Sequence, residues 1–189
     1  MRWLPALVIL ALAGACSPPP EPSAPSGASA ETARDQALLD ELAEAGPARA
    51  EDIEQELVTV WSTADDPAVE YLMARAAEAL GKNDRPLARE MYDRAILIAP
   101  DHAQAWLMRA QLQYEADNLS AAMSDLGEVL AIEPRHFMAW VGLARMFEQI
   151  GADDPAMQAY EAALAVHPHY AAARQGRARL VHARGERSL

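Results

Sequence analysis

The chain has 189 residues, a formal net charge of −12 and a single cysteine, Cys16. This negative charge argues against nonspecific nucleic-acid binding, and a lone cysteine excludes an intramolecular disulfide framework. The fold must then be stabilised by a hydrophobic core, for which the chain is long enough.

Residues 1–15 have the features of an export signal. Arg2 is followed by an apolar run, Leu4 to Leu12, that is too short to span a bilayer, and then by small residues that end at Cys16. The segment resembles a bacterial lipoprotein signal, in which the cysteine is lipidated and becomes the new N-terminus, although Ala13 stands where leucine is usual. The alternatives are an ordinary secretory signal with a chance cysteine, or an N-terminal anchor that is not cleaved.

Residues 16–31 are predicted to form a disordered tether. The stretch from Ser17 to Ala30 contains five prolines and no large apolar side chain. Such a segment cannot offset the entropy lost on ordering, and its prolines favour an extended chain. We therefore expect it to join a lipid anchor to a folded domain.

Residues 32–66 are predicted to form a degenerate helical hairpin. Two helical stretches, Thr32 to Ala45 and Ala48 to Ser62, are separated by Gly46 and Pro47. Terminal repeats of an array are usually atypical, so we expect this hairpin to cap its N-terminal end. The predicted inward-facing residues are Ala37, Leu38, Leu42 and Ala45 in the first helix, and Ile53, Leu57, Val58 and Trp61 in the second.

A period of 34 residues dominates the rest of the chain. Pro100, Pro134 and Pro168 follow this spacing, and so do Trp106 and Trp140. A fixed period of this length predicts a stack of helical hairpins. The repeat region is set at 67–168, which ends at Pro168, and in the 34-residue register the three repeats occupy 69–102, 103–136 and 137–170. A capping helix and tail are expected over 169–189.

The residues at fixed positions within this period resemble the tetratricopeptide repeat. Arg75 and Arg109 depart from the pattern, because leucine is usual at their position. The resemblance implies an all-α solenoid of antiparallel helical hairpins with a right-handed superhelical twist. In the repeat that starts at Phe137 the matching residues are Trp140, Leu143, Ala144, Phe147, Ala156, Tyr160, Ala163 and Pro168.

The sequence offers no candidate catalytic centre. It lacks a phosphate-binding glycine loop and a nucleophile elbow, and the aspartate pairs at 65–66 and 153–154 precede prolines, which favours helix capping. His102, His136 and His169 fall near the turns between repeats and are expected to be exposed. We therefore expect no enzyme activity, no cofactor and no metal site, including at His167 and His169.

The resemblance also predicts the partner-binding surface. In this family, positions 2, 5, 9 and 12 of each first helix face the concave side, and the last helix adds to it. The resulting groove is mostly apolar and lacks the lysine and asparagine with which chaperone-tail-binding members hold a carboxylate. It suits an amphipathic or extended peptide. The predicted groove residues are Met73, Ala77, Leu107, Gln111, Tyr114, Met138, Val141, Arg145 and Arg179.

These features predict a non-catalytic scaffold that binds an envelope protein in its groove. The lipid signal places it in the bacterial cell envelope, facing the periplasm, and Ser17 after the cysteine favours the outer membrane. Two alternatives remain. The acidic segment 31–66, with eleven acids and two arginines, could bind the basic segment 169–189 of another copy and build a self-assembling structural protein. The hairpin or the tether could also fold over the groove.

Overall fold

The computed structural model describes the backbone of residues 27–187 and the side chains of residues 34–185. Within this range the chain forms nine α-helices and no strand, which confirms the all-α prediction. The segment 1–15, Cys16 and most of the tether lie outside the described residues. The helices are α1 Gly27–Glu44, α2 Pro47–Ser62, α3 Pro67–Gly81, α4 Arg85–Ile98, α5 Ala103–Glu115, α6 Leu119–Ile132, α7 Phe137–Gln149, α8 Asp153–Val166 and α9 Ala171–Arg187.

Three helical hairpins, α3–α4, α5–α6 and α7–α8, stack in chain order, and α9 packs on α8. Helices α5 and α7 begin at the repeat starts that the period gives, Ala103 and Phe137. Alanines at Ala110, Ala144 and Ala156 have no exposed surface. Because their side chains are so small, the paired helices approach closely, and larger side chains fill the next layer.

The shared period of tryptophan and proline has a direct structural cause. The indole Nε1 of Trp106 donates to the carbonyl oxygen of Pro100 at 2.9 Å, and that of Trp140 donates to Pro134 at 2.9 Å. Each bond ties the first helix of a repeat to the turn that precedes it. The tryptophans therefore belong to the scaffold and orient successive hairpins.

The turns inside the hairpins show a second 34-residue period, which the sequence prediction missed. Asn83, Asp117 and Gly151 have positive φ angles of 58°, 61° and 73°. Asparagine, aspartate and glycine tolerate this left-handed backbone better than other residues. The three turns therefore share one geometry although their residues differ.

The prediction that the aspartate pairs cap helices is confirmed for the first pair and wrong for the second. Asp66 is the N-cap of α3 and accepts from the backbone N–H of Ala68 at 2.7 Å. Asp153 and Asp154, in contrast, lie inside the first turn of α8, whose N-cap is Ala152. They do not cap the helix, but their carboxylates are placed where the helix dipole favours negative charge.

Arg109 stands where the repeat pattern has leucine, and its positive charge is neutralised by a buried aspartate, Asp125. Its guanidinium bonds both oxygens of Asp125, at 2.9 and 2.7 Å, and Asp93 at 2.7 Å. It also lies over the ring of Trp106, 4.8 Å from the centroid. The side chain of Asp125 is only 7% exposed and that of Arg109 is 19% exposed. Arg75 differs, because its ion pair with Glu78 lies at the surface.

The prediction that α1 and α2 cap the N-terminal end of the array is wrong. Their buried side chains share a core with α5 to α9, whereas α3, α4 and part of α5 form a separate core. The hairpin lies across the turns that join α6 to α7 and α8 to α9. At the first of these turns, Trp61 of the hairpin packs on the rings of His136 and Phe137.

The boundaries and the inward face of α1 also differ from the prediction. The helix begins at Gly27, so the end of the predicted tether is helical; after Pro25 no proline interrupts the run of alanine, serine and glutamate. Ala37 is exposed, whereas Leu39 is 1% exposed. Leu38, Leu39 and Leu42 form the stripe that packs against the repeats.

We expect Asp125→Ala to lower the free energy of unfolding by about 3 kcal/mol, because it removes the main acceptor of a partly buried guanidinium. The double variant Arg109→Leu with Asp125→Ala reproduces the pair Leu143 and Ala159 of the next repeat. It should recover most of that loss. Urea unfolding followed by circular dichroism measures both, and a double variant no more stable than the single one would contradict this account.

Candidate functional site

An open cavity of about 400 Å³ lies on the surface formed by α5 and α7. Tyr170, just before α9, also lines it. Six of the nine predicted groove residues line it together, so the sequence located its main walls. These six are Leu107, Gln111, Tyr114, Met138, Val141 and Arg145.

The other three predicted residues lie outside this cavity. Met73 is partly buried and packs against the core of the first repeat, and Ala77 is exposed on the same helix, α3. Arg179 on α9 bonds Glu148 at 3.3 Å and approaches the hydroxyl of Tyr160 at 3.5 Å. The cavity is therefore confined to the second and third repeats, and Arg179 belongs to an ion pair beside it.

Six lining residues were missed by the sequence prediction: Ala110, Glu115, Leu126, Gly142, Met146 and Tyr170. Glu115 ends α5, Gly142 lies on α7 beside Val141, and Tyr170 replaces the histidines that occupy its position in the earlier repeats. A Cβ atom on Gly142 would lie 2.8 Å from Cδ1 of Leu126, so the glycine allows α6 and α7 to approach. The sequence signal that could have found Tyr170 is the 34-residue period, because Tyr170 has the same repeat position as His136.

The cavity has an apolar floor and polar walls. Val141 is 4% exposed and forms part of the core, whereas Tyr114 is 39% exposed and presents its ring to solvent. Arg145 and Gln111 are exposed. Glu115 accepts from Arg85 at 3.2 Å and from Gln111 at 3.4 Å, which fixes part of the polar wall. The arrangement can hold an apolar side chain and offer polar contacts around it.

A hydrogen-bonded network stiffens the helices beside the cavity. The hydroxyl of Tyr160 on α8 donates to the carboxylate of Glu148 on α7, and Arg179 on α9 contacts both. Burial and the neighbouring carboxylate raise the pKa of Tyr160 above its ordinary value, so the phenol keeps its proton. Three helices are thereby held in one relative position.

The hairpin α1–α2 leaves this cavity open. No described residue of either helix lines it. The hairpin instead covers His136 and His167, which are 0% and 2% exposed, so the prediction that the turn histidines are exposed is wrong for His136. The cause is Trp61, whose ring stacks on His136 at a centroid distance of 4.1 Å.

Among residues 34–185, whose side chains the structure describes, no group of three or more histidine, cysteine, aspartate or glutamate side chains is arranged to hold a metal ion. Over residues 27–187 no helix has the length and apolar character needed to cross a bilayer.

Comparison with known proteins identifies the repeat type. The chain is 32% identical over 87 residues to a TPR repeat-containing protein of Rhizobium etli, a match that covers 46% of this chain and 43% of the relative. The chain thus spans less than half the length of that curated relative. No family model matches the chain.

Solved structures agree on the fold. The first TPR domain of Spaghetti (RPAP3) bound to the HSP90 peptide SRMEEVD superposes with a TM-score of 0.60 at 16% identity, over 65% of this chain and 97% of that one. MamA superposes with a TM-score of 0.59 at 20% identity, over 74% and 84% of the two chains. The chain therefore has the fold of a tetratricopeptide-repeat solenoid.

Proposed function

We propose that the chain is a non-catalytic scaffold that binds a segment of another protein in the cavity between α5 and α7. The observation that carries this proposal is an apolar cavity, open to solvent, that no described helix of the chain fills. The RPAP3 neighbour, whose TPR domain is bound to a peptide, supports it. The bound segment is an extended or amphipathic peptide.

The lining favours a ligand with one apolar anchor and polar neighbours. Leu107 and Met138 are half-buried and would lose their remaining exposed surface on binding. Tyr114 adds a rigid aromatic surface at little entropic cost, and aromatic and arginine side chains often dominate binding energy. Arg145 offers a cation to an acidic or carbonyl group of the ligand.

We expect Leu107→Glu to weaken partner binding about 30-fold, because it places a carboxylate on the apolar floor. Leu97→Glu is the matched control, since Leu97 on α4 is 84% exposed and lies outside the cavity. The partner is first identified by crosslinking in intact cells, and binding is then measured with purified proteins by calorimetry. Equal affinities for the two variants would exclude the cavity as the binding site.

We place the protein in the bacterial cell envelope, attached by a lipid on Cys16 and facing the periplasm, with the outer membrane as the preferred location. The support is the sequence of residues 1–16 and the proline-rich segment that follows. A tether of 11 or more residues in extended conformation would reach on the order of 30 Å, at roughly 3 Å per residue. That length separates the cavity from the membrane surface.

Cys16→Ser should release the protein from the membrane fraction, because the thiol is the site of lipid attachment in this proposal. The neighbouring substitution Ser17→Ala leaves the thiol in place and serves as the control. Fractionation and metabolic labelling with a fatty-acid probe measure the two effects. Retention of the serine variant in membranes would instead indicate an uncleaved anchor.

Self-assembly is the second candidate function. Glu51 and Asp52 on α2, and Arg174 and Arg177 on α9, are exposed and opposite in charge. A contact between the acidic face of one copy and the basic face of the next need not close into a ring. It would build an open chain of copies.

If self-assembly occurs, light scattering should show oligomers at low ionic strength that dissociate in 0.5 M salt, because exposed charges are screened. Arg174→Glu with Arg177→Glu should abolish them. Adding Glu51→Lys and Asp52→Lys to the same chain should restore them. A monomer at low salt would remove this candidate while leaving peptide binding untouched.

A further inference from the structure

The α1–α2 hairpin, residues 27–62, is fastened to two turns of the solenoid, and we call it the latch. On α2, Trp61 stacks on His136 and packs against Phe137 at 5.6 Å. Glu54 bonds His167 at 3.1 Å. On α1, Gln36 donates to Glu133 at 3.0 Å. The latch therefore rests on side chains that include two buried histidines.

The surroundings of His136 require the neutral imidazole. Its Nδ1 accepts from the backbone N–H of Ala139 at 3.3 Å and so caps α7. A nitrogen that accepts a hydrogen bond carries no proton, so the proton of the neutral ring is on Nε2, which is buried and has no partner. Protonation of Nδ1 would break the cap and place a cation at the N-terminus of a helix.

His167 is held in a related way. Its Nε2 contacts the carboxylate of Glu54, and its Nδ1 is buried without a partner. A second proton would therefore add an N–H that nothing accepts. Glu54 attracts the charged ring, whereas burial and the nearby His169 oppose the charge. Phe137 and Tyr170 pack edge-on and face-on against the same ring, at 5.1 and 5.3 Å.

The charged groups around His136 are already paired with one another. Arg135 bonds Asp40 and Gln36 on α1. Glu133 accepts from Gln36 and from the backbone N–H of Arg135. On the α2 side the facing group is Trp61, whose ring face would attract a cation but offers no acceptor in its plane. Asp35 on α1 lies near the same turn, in a cavity that Trp61 and Glu133 also line, but no hydrogen bond or ion pair joins a described carboxylate to His136.

We propose that the latch is a pH-sensitive device: its docking on the turns is strongest at neutral pH and weakens as the medium becomes mildly acidic, so that the released state becomes more populated. Release separates Trp61 from His136 and uncovers the side chain of Phe137, which is fully buried in the docked state. Release also opens the part of the core that Leu39, Leu42 and Ile53 share with α5 to α9, whereas the separate core of α3, α4 and part of α5 is unaffected. This inference does not depend on peptide binding.

The direction in which docking stability changes with pH follows from the pKa of each histidine. Burial lowers the pKa of His136 to about 4 and lowers the pKa of His167 below its ordinary value, even though Glu54 opposes the shift. In the released state both would return toward the ordinary value near 6.5. Docking is therefore fully stable above about pH 6.5 and is weakened as the pH falls toward 4.

The pH range between 7 and 5 isolates the histidines. Exposed carboxylates remain largely ionised at pH 5, because their ordinary pKa values lie near 4. The Arg49–Glu41 ion pair then persists, because the hydrogen bond from Arg49 lowers the pKa of Glu41 below its ordinary value. His136 alone should reduce the docking equilibrium about 20-fold between pH 7 and pH 5.

Hydrogen–deuterium exchange of the full chain at pH 7 and pH 5 tests this proposal, after correction for intrinsic exchange rates. Protection of peptides from α1 and α2 should fall by about 20-fold or more, while protection of α5 and α6 should change little. Trp61→Ala provides the released reference at both pH values. Unchanged protection of α1 and α2 at pH 5 would overturn the proposal.

Variants assign the effect to the histidines. In His136→Asn the amide oxygen can still cap α7 without titrating, and in His167→Gln the amide can still donate to Glu54. Combined, they should abolish the pH dependence of latch protection, whatever its level at pH 7, whereas His169→Gln should retain it. If the latch of the double variant is already released at pH 7, the single variant His167→Gln provides the test. The pH dependence of its latch protection should then be smaller than in the wild-type chain. If the pH dependence of latch protection in the double variant equals that of the wild-type chain, the assignment of the effect to these two histidines is overturned.

Discussion

The turn from Glu133 to Phe137 is the constraint on which most of the structure depends. The carbonyl of Pro134 fixes Trp140, and so the angle at which the third hairpin follows the second. His136 caps α7, and Phe137 fills the core beneath the turn with no exposed surface. Glu133 and Arg135 bind the latch through Gln36 and Asp40 on α1. Five consecutive residues thus set repeat stacking, a helix start and the docking of α1 and α2.

The repeat part of the fold could be predicted because its signals are local and periodic. A tryptophan that bonds a proline carbonyl six residues earlier must recur with that proline, so the period of one is the period of the other. Helix starts at Ala103 and Phe137 follow from the same register. The main walls of the cavity were also predictable, because their positions are set by the face of each first helix.

The position of the latch could not be read from the sequence. Its helices show ordinary apolar stripes, and a stripe does not specify which surface it covers. The choice depends on contacts between residues about one hundred positions apart, such as Gln36 with Glu133 and Glu54 with His167. The burial of His136 depends on the same long-range contact, so a polar residue in a turn was wrongly expected to be exposed.

The cavity and the latch use different sides of the same repeats. The cavity is lined by the exposed faces of α5 and α7, whereas the latch covers the ends of the hairpins. Tyr170 belongs to both, because it lines the cavity and packs against Phe137 and His167 beneath the latch. A ligand in the cavity and the docked hairpin therefore share one side chain through which each can affect the other.

The Arg109–Asp125 pair limits how such an array can grow or be rearranged. The two residues lie on different helices of one hairpin, so a crossover between α5 and α6 would separate a buried cation from its anion. A crossover in the turns between hairpins would keep this pair together and, if placed before α5, would remove only the more exposed partner of Arg109, Asp93 on α4. Gene duplication and chimera construction should therefore preserve whole hairpins as the exchangeable unit, and the second repeat can be copied elsewhere in the array only with both helices.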